Sequence, residues 1–209
     1  MLSEERATEL NRILKPPKPE MGVLVIDMQD NLLLPSIGRA APIPPKTRDQ
    51  IVSAQTEVLY WAQRYNIPVA YTKMAFSGTF NRNGIYRPIK EMLDALPKDR
   101  CRGFPKENPN ALESKALQDW SDEQGINKYF VMGIKASECV FATMRGGVGR
   151  ISRTTPRRYT MLTAFNAIGD EAGKEGKGRE MIEQSGMFGH YPSHLDLITD
   201  PTMLFPRIG

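Results

Sequence analysis

The chain has 209 residues, of which 40% are hydrophobic and 25% charged, close to the average for soluble globular proteins. No stretch reaches the roughly 20 apolar residues of a membrane-spanning helix, and the amino terminus lacks the apolar core of a signal peptide. We therefore expect a soluble, cytoplasmic protein with no membrane partner. The net charge of +4 is weak evidence, on its own, for an anionic partner.

Residues 3–14 are predicted to form an amphipathic helix within an N-terminal helical extension over residues 1–20. Beyond it, short apolar runs alternate with helical patterns. The predicted strands cover residues 23–26, 68–72, 129–132, 159–162 and, last, 195–199. The predicted helices cover residues 47–65, 87–95, 111–123 and 170–185, with another starting near residue 137. Loops are predicted over 31–46, 75–86 and the polar stretch that runs through residue 110.

This alternation predicts βαβ units, and hence a three-layer α/β/α, doubly wound fold with a mainly parallel central sheet of about six strands. We expect one domain over residues 1–209. Ligands in such sheets bind beyond the carboxyl ends of the strands. Asp27 and the segment after Gly133 both follow predicted strands, so we look for chemistry there.

Three residues stand out, although each has an ordinary structural interpretation. Asp27 is a carboxylate that closes a buried strand, which is costly unless it is paired, and it could serve as a turn residue. Cys139 lies near a helix start, where the helix dipole favours a thiolate, although an arbitrary cysteine is more often a small buried hydrophobe. For Cys101 we expect either a small buried hydrophobe or an incidental surface thiol. Lys106 lies in a predicted loop, where most lysines are solvated.

Together, the three positions resemble the isochorismatase-like cysteine hydrolases, which include nicotinamidases and N-carbamoylsarcosine amidohydrolases. The resemblance covers residues 20–145 well and continues more loosely through 164–170. It rests on three motifs in the family's order. The first motif is Val25-Ile26-Asp27-Met28-Gln29. The second has Lys106 four residues before Asn110-Ala111-Leu112, as in the family pattern K-x-x-x-S-A-F, and Leu117 follows it. The third has Gly133, Ile134, Cys139, Val140 and Thr143, as in the family pattern G-[IV]-x-x-x-x-C-V-x-x-T.

The resemblance implies a catalytic set of Asp27 as general base, Lys106 as the group that holds the geometry, and Cys139 as nucleophile. It also implies a cis peptide bond between Ile134 and Lys135, and an oxyanion hole made by the backbone amides of Lys135 and Cys139. These roles agree with the chemistry of thiols, because a thiolate is the competent nucleophile.

Further side chains are expected around the substrate. We expect Gln29, Phe76 and Tyr86 to line the pocket, and Arg145 to bind a carboxylate of the substrate. Arg145 opens an Arg/Gly-rich segment over residues 145–158 that is predicted to interrupt the helix after Cys139. That segment could equally be a solvated basic loop or a subunit contact. It carries no aromatic platform or binding motif, so we expect no nucleic-acid partner.

The sequence departs from the nicotinamidase branch, whose metal ligands follow the second strand. Residues 72–80 contain neither Asp nor His, and His190 and His194 have Pro192 between them, so we interpret both histidines as surface or packing residues. We therefore expect no metal and no cofactor.

These observations favour a metal-independent cysteine hydrolase that cleaves an amide-type C–N bond of a small molecule, acting as a homo-oligomer, dimer or tetramer. Two alternatives stay open. One is an isochorismatase, which hydrolyses the vinyl ether of isochorismate to 2,3-dihydro-2,3-dihydroxybenzoate and pyruvate. The other is a catalytically silent scaffold of the same fold.

Overall fold

The structure is a computed structural model that describes residues 20–34, 42–74, 84–149 and 159–200. Within these residues, seven strands form one sheet. The strands are β1 (Met21–Ile26), β2 (Val69–Met74), β3 (Cys101–Lys106), β4 (Lys128–Ile134), β5 (Thr160–Ala164), β6 (Ile168–Gly169) and β7 (Gly189–Tyr191). The helices are α1 (Asp30–Leu33), α2 (Pro45–Arg64), α3 (Arg87–Asp94), α4 (Lys115–Gln124), α5 (Phe141–Val148), α6 (Lys177–Ser185) and α7 (His194–Ile198).

The sheet is parallel and is wound outward from its centre. The strand order is β3-β2-β1-β4-β5-β7, with β6 paired to the end of β4. From β1, the chain runs first to β2 and β3 on one side, and then returns to β4 and β5 on the other. The winding direction therefore changes between β1 and β4, which is where ligands bind in doubly wound folds. The predicted fold class is confirmed.

Both faces of the sheet are covered, as the apolar character of β1 requires. Val23 and Val25 belong to a core shared with α2, α3 and α7, whereas Leu24 and Ile26 belong to a second core shared with α4, α5 and α6. Successive side chains of a strand point to opposite faces, so a strand buried on both sides is apolar throughout. This arrangement holds the carboxyl ends of β1 and β4 in a fixed position.

Two predictions near the carboxyl terminus are wrong. Residues 195–199 do not form a strand: residues 195–198 lie in α7 and Thr199 is its C-cap. The start of α7 is stabilised by a reciprocal capping box between Ser193 and Asp196. The predicted helix over 170–185 begins only at residue 177. The residues before it form turns, in which Gly173 and Gly176 adopt positive φ angles of 84° and 81°.

The polar stretch before residue 110 is also not a loop, because it contains the edge strand β3. Most of this strand's side chains are exposed or half-buried, so it lacks the continuous apolar run of β1. Pro105 is tolerated because β3 lies at the edge of the sheet. Lys106 is consequently the last residue of a strand, beside the carboxyl ends of β2 and β1. The predicted loop over 31–46 likewise overlaps the short helix α1 and the first two residues of α2.

The helix after Cys139 is not interrupted, contrary to prediction. It continues as α5 to Val148, through Gly146 and Gly147. A Cβ atom at Gly146 would lie 2.5 Å from the Asn110 side chain, and one at Gly147 would lie 2.3 Å from the Met161 sulfur. Both glycines therefore allow close packing of α5.

Some predictions fall outside the described residues: the helix over 3–14 and its N-terminal extension, the loop core over 75–83, and residues 150–158 of the Arg/Gly-rich segment. Among the helices that the structure describes, none is long and apolar enough to cross a membrane.

Candidate active site

A buried ion pair joins the ends of β1 and β3. The Lys106 ammonium lies 2.8 Å from an Asp27 carboxylate oxygen, and the two side chains are only 2% and 1% exposed. Asp27 directly follows β1, and Lys106 closes β3 two strands away. Each charge is tolerated in the interior because the other is present, since a buried charge without a partner is strongly destabilising.

Further hydrogen bonds fix both groups. The Thr72 hydroxyl on β2 donates to the second Asp27 oxygen at 3.0 Å. The Lys106 ammonium donates to the carbonyls of Asn108 and Pro109, each at 3.2 Å. Asp27 also adopts a φ angle of 50°, which is uncommon for a residue with a Cβ. The carboxylate is thus held by one contact on each oxygen, from Lys106 and from Thr72, at the sheet's carboxyl edge.

Cys139 faces this ion pair from the other side of the switch point. It lies in a single π-type turn over Ala136–Val140, between β4 and α5, and its side chain is buried. Burial raises the pKa of the thiol to about 11, the Asp27 carboxylate adds to this increase, and the Lys106 ammonium opposes it. The resting thiol is therefore protonated at neutral pH, and the expected preference for a thiolate is wrong.

The cysteine turn is anchored from behind by Asp170, which the sequence analysis did not identify. One Asp170 oxygen accepts a hydrogen bond from the Ser137 amide at 2.7 Å, and the other accepts one from the Gly178 amide at 2.8 Å. The side chain is buried. A Cβ atom at Gly178 would lie 2.4 Å from that of Ala136, so α6 packs directly on the turn.

Thr143 links the cysteine helix to the segment behind Lys106. Its hydroxyl accepts a hydrogen bond from the Ala111 amide at 3.0 Å and lies 3.3 Å from the Pro109 carbonyl, to which it can donate. That carbonyl also accepts a hydrogen bond from Lys106. The threonine of the third sequence motif therefore serves to join the second motif to the third.

The predicted cis peptide bond between Ile134 and Lys135 is present. The Lys135 ammonium hydrogen-bonds the Glu171 carboxylate and lies 3.8 Å from that of Glu138. Glu171 also pairs with Lys174 at 2.5 Å. Because its side chain is engaged in this way, Lys135 has only its backbone amide to offer to the site.

The expected substrate contacts are only partly placed near the ion pair. Gln29 is fully buried, and its side-chain oxygen accepts a hydrogen bond from the Met74 amide at 2.8 Å, which ties α1 to the end of β2. Tyr86 begins α3, where its amide donates to the Met28 carbonyl at 2.7 Å and its ring packs on the α2–α3 core. Phe76 lies outside the described residues.

Arg145 does not lie where the sequence analysis expects it. It is exposed on α5, one and a half turns beyond Cys139. Among the described residues, no hydrogen bond or ion pair joins it to Asp27, Lys106 or Cys139. The cause is the unbroken helix, which turns position 145 away from position 139.

The histidines lie apart from this site. His194 is buried, with one ring nitrogen 2.9 Å from the Glu57 carboxylate and the other 2.9 Å from the Asn166 amide nitrogen. The His190 ring lies 5.0 Å from that of Phe165. Within the described part of the chain, no group of three or more His, Cys, Asp and Glu side chains is arranged to hold a metal ion.

Known proteins share the domain and the fold of this chain. Residues 21–150, more than half of the chain, match the model of the isochorismatase domain family. No curated protein sequence matches the chain. Several solved structures share the fold at low sequence identity.

Three of these structures illustrate the likeness. An isochorismatase-like hydrolase from Alkaliphilus metalliredigens is 16% identical, with a TM-score of 0.64 over 85% of this chain and 96% of that one. A cysteine hydrolase from Pseudomonas syringae pv. phaseolicola is 17% identical, with a TM-score of 0.65 over 88% and 92%. An N-carbamoylsarcosine amidase from Thermoplasma acidophilum is 13% identical, with a TM-score of 0.61 over 81% and 94%.

Proposed function

The chain belongs to the isochorismatase domain family, and from this membership we propose that it is a cysteine hydrolase that cleaves a small amide-type C–N bond through a covalent intermediate on Cys139. One observation carries the proposal. Cys139 lies in the turn after β4, beside the buried 2.8 Å ion pair of Asp27 and Lys106, and both charges act on the thiol pKa, one upward and one downward. A nucleophile beside a held base is the arrangement that covalent catalysis needs.

In the first half of the reaction, the Cys139 sulfur attacks the carbonyl carbon of the substrate while Asp27 takes the thiol proton. The carbonyl π electrons move onto oxygen, and the backbone amides of Lys135 and Cys139 stabilise that oxyanion. When the tetrahedral intermediate collapses, the C–N bond breaks and the leaving amine takes the proton from Asp27. A thioester on Cys139 remains.

In the second half, a water molecule attacks the thioester carbon and gives a proton to Asp27. The C–S bond breaks, the sulfur recovers its proton from Asp27, and the carboxylic acid product leaves. Lys106 holds the Asp27 carboxyl group in position, at the 2.8 Å separation of the resting site. The raised pKa of Cys139 fits this scheme, because a protonated thiol needs the adjacent base at the moment of attack.

The proposed chemistry uses only these protein groups. The segment over residues 72–80 has no Asp or His that could serve as a metal ligand after β2, which separates the chain from the nicotinamidase branch. The presence of Cys139 favours an amide-type substrate over the vinyl ether of isochorismate. The buried Asp27–Lys106 pair argues against a silent scaffold, because burying two charges costs free energy that a scaffold has no need to meet.

The test is a panel of small amides, carbamoyl compounds and isochorismate, assayed with the wild type, Cys139→Ala and Cys101→Ala. We expect turnover of at least one C–N substrate by the wild type and by Cys101→Ala, and none above background by Cys139→Ala. Intact-protein mass spectrometry of the working enzyme should show an acyl adduct on Cys139.

Activity that survives Cys139→Ala would contradict the covalent mechanism. Turnover of isochorismate alone would assign the vinyl-ether reaction. No turnover of any class would favour the scaffold.

A further inference from the structure

A groove of about 520 Å³ lies on the outer surface between α2, α3 and α7, and its lining includes Tyr60, Trp61, Tyr65, Met92 and Ile198. Tyr60 is 62% exposed and Tyr65 is 45% exposed. Exposed apolar side chains that cluster in one place mark interaction surfaces more often than those scattered singly.

The clustering extends to α7. Leu195 is 49% exposed and lies one helical turn before Ile198, so the two are neighbours on the helix. Among the described residues, four large hydrophobic side chains are exposed, and only Met187 lies away from this region. Two of these four side chains, Tyr60 and Tyr65, line the groove, and Leu195 lies beside it on α7.

The groove is separate from the candidate active site. α2 ends at residue 64 and β2 begins at residue 69, so the last turns of α2 lie near the amino ends of the strands. Asp27, Lys106 and Cys139 lie at the carboxyl ends. Occupation of the groove is therefore not needed to complete that site.

Charges of opposite sign lie on either side of Tyr60. Glu57, Tyr60 and Arg64 share one outward stripe of α2, at spacings of three and four residues. The Glu57 side chain is 50% exposed, although one of its oxygens binds His194. Glu57 and Arg64 are seven residues apart, or about 10 Å along the helix axis.

We propose that this groove is the contact surface of a twofold symmetric dimer, in which the α2 helices of two copies of the chain pack antiparallel. A twofold axis beside Tyr60 brings Glu57 of each copy opposite Arg64 of the other, so the same ion pair forms twice. Tyr60 of each copy then enters the groove of its partner, where its ring is removed from water. A second copy is favoured as the occupant because the charge pattern is complementary to itself.

The test is the molar mass of the wild type by light scattering over a range of concentrations, together with sedimentation velocity. We expect a dimer whose dissociation constant rises at least about tenfold in Arg64→Glu, which places like charges together at both ends of the contact. The double variant Glu57→Lys/Arg64→Glu restores the pair with reversed signs, so its dissociation constant should return to within about threefold of the wild type. Lys115→Glu makes the same charge change on α4, in the opposite helix layer, and should have no effect.

A second measurement does not depend on the charged pair. In a Cys101→Ser/Cys139→Ser background, Tyr60→Cys should form a disulfide-linked dimer on mild oxidation, whereas Lys115→Cys should not. Thermal melts of every variant check that each one folds.

A wild type that is monomeric at all concentrations would overturn the proposal. So would a dimer whose mass is unchanged in Arg64→Glu and that gives no cross-link through position 60, since its contact would be another face. A monomer that dimerises only after residues 201–209 are removed would instead assign the groove to the chain's own carboxyl-terminal segment. Cys139-dependent turnover should be unchanged in Arg64→Glu, so neither result bears on the proposed hydrolase.

Discussion

The two cysteines lie at opposite edges of the same sheet and differ mainly in their neighbours. Cys101 opens β3 at the amino edge, and Cys139 follows β4 at the carboxyl edge. Burial is the largest cause of a raised pKa at both thiols, to about 11 in each case. Beside Cys101 the charges belong to Lys98 and Asp94, whereas beside Cys139 they belong to the buried Asp27–Lys106 pair.

The comparison shows that this chain does not mark its candidate nucleophile by a low resting pKa. What distinguishes Cys139 is a neighbouring carboxylate that is fixed and buried, and that takes the thiol proton in the proposed mechanism. Asp94 near Cys101 is not held in the same way, because its side chain is 56% exposed whereas that of Asp27 is 1% exposed. Substrate turnover at Cys139, as distinct from simple alkylation of the thiol, should therefore depend on Asp27 as the base at the moment of attack.

The largest expected effect comes from removing this base. Asp27→Asn keeps the size of the side chain but cannot accept the thiol proton, so kcat/KM should fall by about 10²- to 10⁴-fold. The matched control Asp94→Asn, which removes the carboxylate near Cys101, should leave kcat/KM unchanged. Steady-state kinetics on a substrate from the panel measures both. An Asp27→Asn enzyme within tenfold of the wild type would remove the proposed distinction between the two cysteines.

Breaking the ion pair should affect folding as well as catalysis. Lys106→Met leaves Asp27 as an unpaired buried carboxylate, which should lower the free energy of unfolding by about 3–5 kcal/mol. Lys115→Met removes an exposed lysine that lies 2.7 Å from Asp119, and should cost less than about 1 kcal/mol. Urea unfolding measures both variants. If both variants lost the same free energy of unfolding, the Asp27–Lys106 pair would be solvated, which would contradict its burial.

The anchor behind the cysteine turn should have a smaller effect. Asp170→Asn can accept a hydrogen bond from only one of the two amides of Ser137 and Gly178, which should cost about 1–3 kcal/mol. Because the turn is then less well positioned, kcat should fall about tenfold with little change in KM. Asp196→Asn weakens a comparable cap on α7, and should lower stability without lowering kcat.

The smallest effect concerns the dependence of stability on pH. The ordinary thiol pKa is 9.0 and the folded value is about 11 for both cysteines. Between these values the unfolded chain loses thiol protons that the folded chain retains, so stability should fall as pH rises from 9 to 11. Below pH 9 the contribution is fully present. Urea unfolding at pH 8 to 10.5 should give a shallower decline in Cys101→Ala than in the wild type; an unchanged slope would contradict the raised pKa.

Much of the fold could be predicted because the relevant signals are local. The apolar run of β1 and the long amphipathic pattern of α2 identify a strand and a helix without any tertiary information. Asp27 and the cysteine turn could be placed at one edge because parallel strands all end on the same side. The same reasoning could not place Lys106 at this edge, because it needs β3 to be recognised as a strand. β3 is a polar edge strand that contains a proline, so its sequence does not predict a strand.

The rest depends on contacts between residues that are distant in sequence. Asp170 matters because it meets the amides of Ser137 and Gly178, and nothing in its immediate sequence indicates either partner. Arg145 was expected near Cys139 because it is close in sequence, but an unbroken helix carries it to the exposed side. The pKa of Cys139 was expected to be low from its position at a helix start, and burial outweighs that effect.

The rate of Cys139 alkylation by iodoacetamide at pH 7.5, resolved from Cys101 by peptide mass spectrometry, tests the three-residue site most directly and needs no substrate. Asp27 raises the pKa of Cys139 and Lys106 lowers it. Asp27→Asn should therefore speed alkylation of Cys139 even though it lowers kcat/KM, Lys106→Met should slow alkylation, and Cys101 should react at the same rate in all three proteins. Cys139 rates that do not change, or that change in the same direction in both variants, would show that the two charges do not act on this thiol.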